Sequence, residues 1–279
     1  MSDVEPVMSA PQRIAWIVYG VERAEVWTSE ERSFPFEGKE ILYRPETETE
    51  FADLSLSYAY GEDIVSYVNT IRRFLSLLSW LYDAPIRITG GAGGSGRGRV
   101  SKPKLLAKVI GREPEILPSI DDRKQLLALA IYRNALNTSY SPFSFSEFFR
   151  IVEIGISGRG RRGWIKSALS QLPSRGEFKD ISALERLREL REDPEAKSDI
   201  ASYLLDRGRH AAVHGSHDPV INPDDLRDTV RLAKDLPLMK YLAELCIEDE
   251  LKVKCRDEVV WKASRDWHSA MDEIFSSKR

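Results

Sequence analysis

The stretch LSLSYAYGEDIVSYVNTIRRFLSLL, residues 54–78, changes its hydrophobic period in the middle. Leu54, Leu56 and Tyr58 alternate onto one face, the period of a half-buried strand. After Gly61, Ile64, Val65, Val68, Ile71, Leu75 and Leu78 recur at helical spacing until Pro85 closes the segment. Upstream, IAWIVYG from Ile14, SFPFEG from Ser33 and EILYR from Glu40 are further short apolar or alternating runs. The reading is a small β-rich layer confined to residues before 61, covered by one helix. Downstream, the glycines of GGAGGSGRG, residues 90–98, predict a flexible loop that lacks the Lys-Ser/Thr pair of a phosphate-binding loop. The segment Lys102–Arg112 with Pro114 and Pro118 reads as a boundary.

Past the boundary the pattern is helical. Asp121 and Asp122 suit a helix N-terminus, and Ser144 with Glu147 has capping-box spacing. Gly158–Gly163 predicts a break, followed by helical pieces over 164–172 and 182–191. Asp193 and Pro194 predict the start of a helix that stops at Gly215, and Pro237 predicts a kink or split in the last helical run. The fold class is therefore α+β, with residues 1–118 as an N-terminal α+β domain, 119–250 as an all-α helical bundle, and 251–279 as a C-terminal extension.

Lys plus Arg number 41 against 44 Asp plus Glu, so any nucleic-acid contact must come from a local patch and not from bulk charge. Two cysteines, Cys246 and Cys255, give no disulfide framework and no CxxC spacing, which predicts a reducing compartment. An acidic N-terminus without an apolar core, and no apolar run long enough for a membrane span, predict a cytoplasmic protein. Cys246, between Leu245 and Ile247, reads as a buried apolar group and not as a nucleophile.

Chemistry concentrates in YLLDRGRHAAVHGSHDP, residues 203–219, which holds three of the four histidines. Arginine offers a planar, permanent cationic fork for phosphate and histidine titrates near neutrality, so together they can hold a phosphodiester and move a proton beside it. The segment also permits two other readings. Cations suit a helix C-terminus, and His210, His214 and His217 with Asp206 could converge on zinc. A second basic run, GRGRRGWIK at 158–166, places Arg159, Arg161, Arg162 and Lys166 around Trp164, a composition that can track a phosphate backbone and stack a base; a solvated basic loop with Trp164 as anchor is the alternative.

The all-helical pattern ending in Arg-x(4–6)-His and glycine resembles the HEPN superfamily. RHAAVHG, residues 209–215, is similar to the motif of its Apea-like and methylamine-utilisation MauJ-like members, and YRNALNTSYSPFSFSEFFRIVE, residues 132–153, resembles their early helices. The resemblance covers roughly residues 120–250. It implies metal-independent RNA cleavage without a cofactor by a homodimer, with Arg209 and His214 as the catalytic pair, His210 where asparagine is common, and Glu153 at an acidic position. Helical phase would instead align Arg207 with His214, so Arg207 and Arg209 both remain candidates. The same resemblance also allows a non-catalytic helical module that binds RNA or nucleotides, or serves as an accessory factor. The β-rich N-terminus would then be a sensing or regulatory module.

Overall fold

The computed structural model describes residues 14–23, 30–47, 49–100, 112–114, 117–138, 140–175, 181–210, 226–254 and 261–263. The architecture is α+β. The chain divides into two compact units, one of residues 1–75, 86–115 and 261–279, the other of 76–85 and 116–260.

In the first unit, β1 (Ile14–Arg23), β2 (Arg32–Phe36), β3 (Lys39–Arg44), β4 (Ala52–Ala59) and β5 (Ile86–Gly94) form an antiparallel sheet in the order β2-β3-β4-β1-β5. Paired residues of antiparallel strands share a face. Tyr43 opposes Leu54, Leu54 opposes Tyr19, and Leu56 opposes Ile17, which makes one apolar face across three strands. Helix α1 (Ile64–Tyr82) begins beside this unit's core, where Phe74 meets the rings of Phe34 and Phe36 at 5.5 and 5.4 Å. The expected strand and helix on either side of Gly61 are both present.

The glycine stretch is not a loop. Residues 90–94 belong to β5, paired along β1, so the expectation that strands end before residue 61 is also overturned. The reason is steric. A Cβ on Gly91 would lie 2.9 Å from Tyr19 Cε1, and one on Gly20 would lie 2.7 Å from Val100 Cβ. Glycine lets the strand press against Tyr19 and lets residues 97–100 fold back over the sheet's other face. There Arg44 Nε donates to both oxygens of the buried Asp53 at 3.2 and 3.0 Å, Arg97 Nε donates to Ser55 Oγ at 2.6 Å, and Arg99 reaches Glu50 at 2.6 Å. Burial pushes the Asp53 carboxyl up, and Arg44, Arg97 and Arg99 oppose it. A short pair, β6 (Arg112–Pro114) with β7 (Trp261–Ala263), is antiparallel.

The described residues of the second unit form helices and the turns between them, with no strand among them. Helix α2 (Arg123–Asn137) opens at Asp122, whose side chain accepts from the Lys124 amide at 3.2 Å while Gln125 accepts from the Asp122 amide, a complete capping box. Helix α3 (Ser141–Gly155) packs against α2 and against α7 (Leu226–Leu245). The Ser144 and Glu147 box is not formed, because α3 starts one turn earlier with Pro142 in its first turn. Ser144 Oγ instead donates to the Ala135 carbonyl at 3.1 Å, and Glu147 accepts from Asn134 at 3.1 Å and from Arg150. Helices α4 (Arg161–Arg175) and α5 (Ile181–Glu192) follow.

Asp193 and Pro194 do not open a helix. They open a turn in which the amides of Ala196 and Lys197 donate to the Asp193 carbonyl, and α6 starts later, at Ile200, with Asp199 as its cap. Helix α6 ends at Tyr203, and Leu204–His210 continues as a π-helical segment. Helix α7 is assigned as one helix through Pro237, so the expected split is absent. No helix among the described residues is long and apolar enough to cross a membrane.

Candidate functional site

Phe145, Phe149 and Glu153 stand four residues apart on α3, so they share one face, each about one turn beyond the last. Phe145 and Phe149 are fully buried. The π-helical segment crosses this face where Gly208 lies against Phe145: a Cβ at 208 would be 2.4 Å from Phe145 Cζ. One turn along α3, the Arg161 guanidinium lies over the Phe149 ring at 5.7 Å from its centroid. A further turn along, Glu153 Oε1 is 3.3 Å from Arg161 Nη1. Arg161 Nε is buried and donates to no acceptor among the described residues. This face thus carries the backbone of the arginine and histidine segment, a guanidinium over an aromatic ring, and a carboxylate.

Of the residues singled out in the sequence, Arg207, Arg209 and His210 have their backbone in the π-helical segment, while their side chains lie outside the description. His214 and His217 lie outside the described residues. Among the described residues no group of three or more His, Cys, Asp or Glu could hold a metal ion.

Three cations of the basic run are paired with carboxylates. Arg162 Nε donates to Asp199 Oδ2 at 2.8 Å, and Lys166 Nζ lies 2.9 Å from the same oxygen. Burial works against the Asp199 carboxylate, but Arg162, Lys166 and the Ser202 amide outweigh it and hold the group well below the usual carboxylate range. Trp164 Nε1 donates to Glu250 Oε1 at 2.8 Å. Arg159 is exposed in the turn before α4. The run therefore brings Arg161 to Glu153 and spends Arg162 and Lys166 on the cap that starts α6.

Sequence reasoning missed a buried ionic cluster on the other side of α6. Asp235 of α7 is 0% exposed; Arg186 Nε of α5 donates to its Oδ1 at 2.8 Å and the Tyr203 hydroxyl donates to its Oδ2 at 3.0 Å. Burial pushes the Asp235 carboxyl up while Arg186 draws it back. Burial likewise works against the Arg186 cation, and Glu189 and Asp235 more than offset it. Burial and the Asp235 charge raise Tyr203. A signal was present in the sequence: Leu232, Asp235, Leu238 and Leu242 follow one helical stripe, and a carboxylate among leucines asks for a partner. Cys246 is buried with its thiol pushed up to about 12, as befits an apolar core group.

The family model described as Methylamine utilization protein MauJ matches residues 128–248 of this chain. That span runs from within α2 to just past α7, and it contains the α3 face, the π-helical segment and Asp235. Comparisons with curated proteins and with solved structures gave no match.

Proposed function

We propose that the helical unit is a metal-independent endoribonuclease of the HEPN type, acting as a homodimer, with the N-terminal unit as a sensing module. The observation that carries this reading is the seating of Gly208 on Phe145, one turn from the Arg161 guanidinium and two from Glu153. In the proposed reaction the ribose 2′-oxygen attacks the adjacent phosphorus, the bond to the 5′-oxygen breaks, and a 2′,3′-cyclic phosphate remains. His214 takes the 2′-hydroxyl proton and returns it to the departing 5′-oxygen, Arg209 and Arg161 stabilise charge on the phosphorane-like transition state, and Glu153 orients Arg161. His210 donates to phosphate, Arg207 is accessory, and Arg159 with Trp164 contacts flanking RNA. Neither role of the pair needs a metal or a cofactor.

The test is incubation of the purified full chain with single-stranded, structured and transfer RNA in EDTA. His214→Ala and Arg209→Ala should each lower cleavage at least about a hundredfold with the fold retained. Abolition of wild-type cleavage by EDTA with rescue by Zn²⁺ would instead favour a zinc site at His210, His214 and His217.

A second reading has its own observation. Arg162 and Lys166 are both paired with Asp199, and the matched family model is described in terms of methylamine utilization. A non-catalytic accessory module that serves that metabolism would need no free cationic surface at α4, and one that binds RNA or nucleotides would do so away from Arg162 and Lys166. A well-folded dimer that cleaves none of these RNAs decides for it.

A further inference from the structure

We propose that Asp235 is a positioning residue for the arginine and histidine segment: through the Tyr203 hydroxyl it sets the rotation at which the chain leaves α6 and enters the π-helical winding that carries Arg207, Arg209 and His210. The proposal rests on the reading of that segment as the reactive one.

Helix α6 has four residues, too few to hold a helix by its own hydrogen bonds. It is held from outside at both ends. At its start the Asp199 side chain accepts from the Ser202 amide at 3.1 Å and is itself clamped by Arg162 and Lys166. At its end Tyr203, the last α-helical residue, is tied to Asp235. The next residue, Leu204, begins the π-helical segment, a rare winding that concentrates at functional places.

The chemistry of the tie argues for direction over adhesion. Asp235 is fully buried on the α7 stripe that also carries the buried Leu232 and Leu238, and an apolar side chain would pack there without the cost of burying a charge. What a carboxylate adds is geometry. Its Oδ1 is taken by Arg186, which is braced in turn by Glu189 at 2.6 Å, so its Oδ2 can meet the phenol in one orientation only. Arg231, one turn earlier on α7, hydrogen-bonds the Tyr203 side chain as well and adds its charge to the same cluster, so Asp235 acts on the phenol together with it. Five residues after Tyr203, Gly208 is seated on Phe145. The two anchors bracket the winding that leads into the reactive residues.

The experiment compares full-length wild type with Tyr203→Phe, which removes one oxygen and keeps the ring. Amide hydrogen exchange should accelerate about tenfold over residues 204–210, with α5 and α7 unchanged, the scale of one lost hydrogen bond to a charged group. If RNA is cleaved, kcat should fall about tenfold with KM unchanged. Asp235→Asn, which keeps an acceptor for the phenol, should retain the slow exchange of 204–210 and is read against Asp235→Leu, which should not. Unchanged exchange at 204–210 in Tyr203→Phe overturns the proposal, as does acceleration spread equally over α5 and α7, or a KM increase at constant kcat. A wild type that cleaves no RNA removes the functional reading alone; the local exchange then decides whether Asp235 sets the segment.

Discussion

Gly208→Ala is the most direct probe of how the π-helical segment sits on α3. The new Cβ would lie 2.4 Å from Cζ and 2.6 Å from Cε1 of Phe145, whereas carbon atoms in van der Waals contact settle at about 3.5–4.0 Å. Phe145 is fully buried and cannot swing into solvent, so either the ring leaves its rotamer or the segment lifts off the helix. Overpacking of this kind costs about 1–3 kcal/mol. Against it stands the ordinary gain of replacing glycine by alanine in helical backbone, about 1 kcal/mol, which is available because Gly208 does not need a left-handed φ. Because the new Cβ sits more than 1 Å inside contact with a ring that cannot move away, the cost falls in the upper part of that range, about 2–3 kcal/mol, and the contact wins by about 1–2 kcal/mol, read as a lower urea midpoint by far-ultraviolet circular dichroism. Phe145→Leu is costly alone, yet it should make Gly208→Ala cheaper by about 1 kcal/mol than it is in wild type, the signature of two groups in contact. A Gly208→Ala protein with an unchanged or higher midpoint refutes the packing argument, because propensity alone then governs the site.

Three further outcomes follow from other parts of the chain. In a Cys255→Ser background, Cys246 should resist a thiol reagent in the native protein and react fully in denaturant, since its thiol is buried and pushed up to about 12; rapid native labelling would contradict that burial. Asp199 is held below its ordinary value of 3.8, so its pairing should stabilise the fold fully above about pH 4 and be lost as pH falls further. Urea midpoints of wild type and Asp199→Asn should therefore converge on acidification, and a gap that widens instead would invert the assignment. Gly91→Val should lower stability by about 1–3 kcal/mol in thermal unfolding, because its Cβ enters the Tyr19 ring, and Tyr19→Ala should relieve that cost.

The α+β class was legible because the hydrophobic period changes at Gly61, and a period reports which face is buried whatever the partner is. The capping box at Asp122 was legible in part for the same kind of reason: its acceptors and donors are within three residues of each other. What failed were inferences from composition. Glycines at 90–94 suggested flexibility, yet the feature that decides their state is Tyr19, more than seventy residues upstream, whose ring fills the space a side chain would need. Asp193 and Pro194 gave a sound start signal, and it was used to begin a turn; the helix starts at the carboxylate that two cations from α4 neutralise.

The basic run shows the same limit from the side of function. Arg161, Arg162 and Lys166 read as one cationic surface because sequence places them within six residues, but α4 turns them toward different elements: Arg161 to Glu153 on α3, the other two to Asp199. Those carboxylates lie eight residues before Arg161 and 37 after Arg162, separations at which no local pattern can announce a pair. Arg162 commits both Nε and Nη2 to Asp199, whereas Arg161 meets Glu153 through Nη1, at the longer distance of 3.3 Å. This difference argues that, if α4 meets RNA at all, it does so through Arg161 at the α3 face. Arg161→Ala should then lower RNA affinity more than Arg162→Ala. In nitrocellulose filter binding at fixed salt, equal losses for the two variants would return the run to a surface of undivided charge.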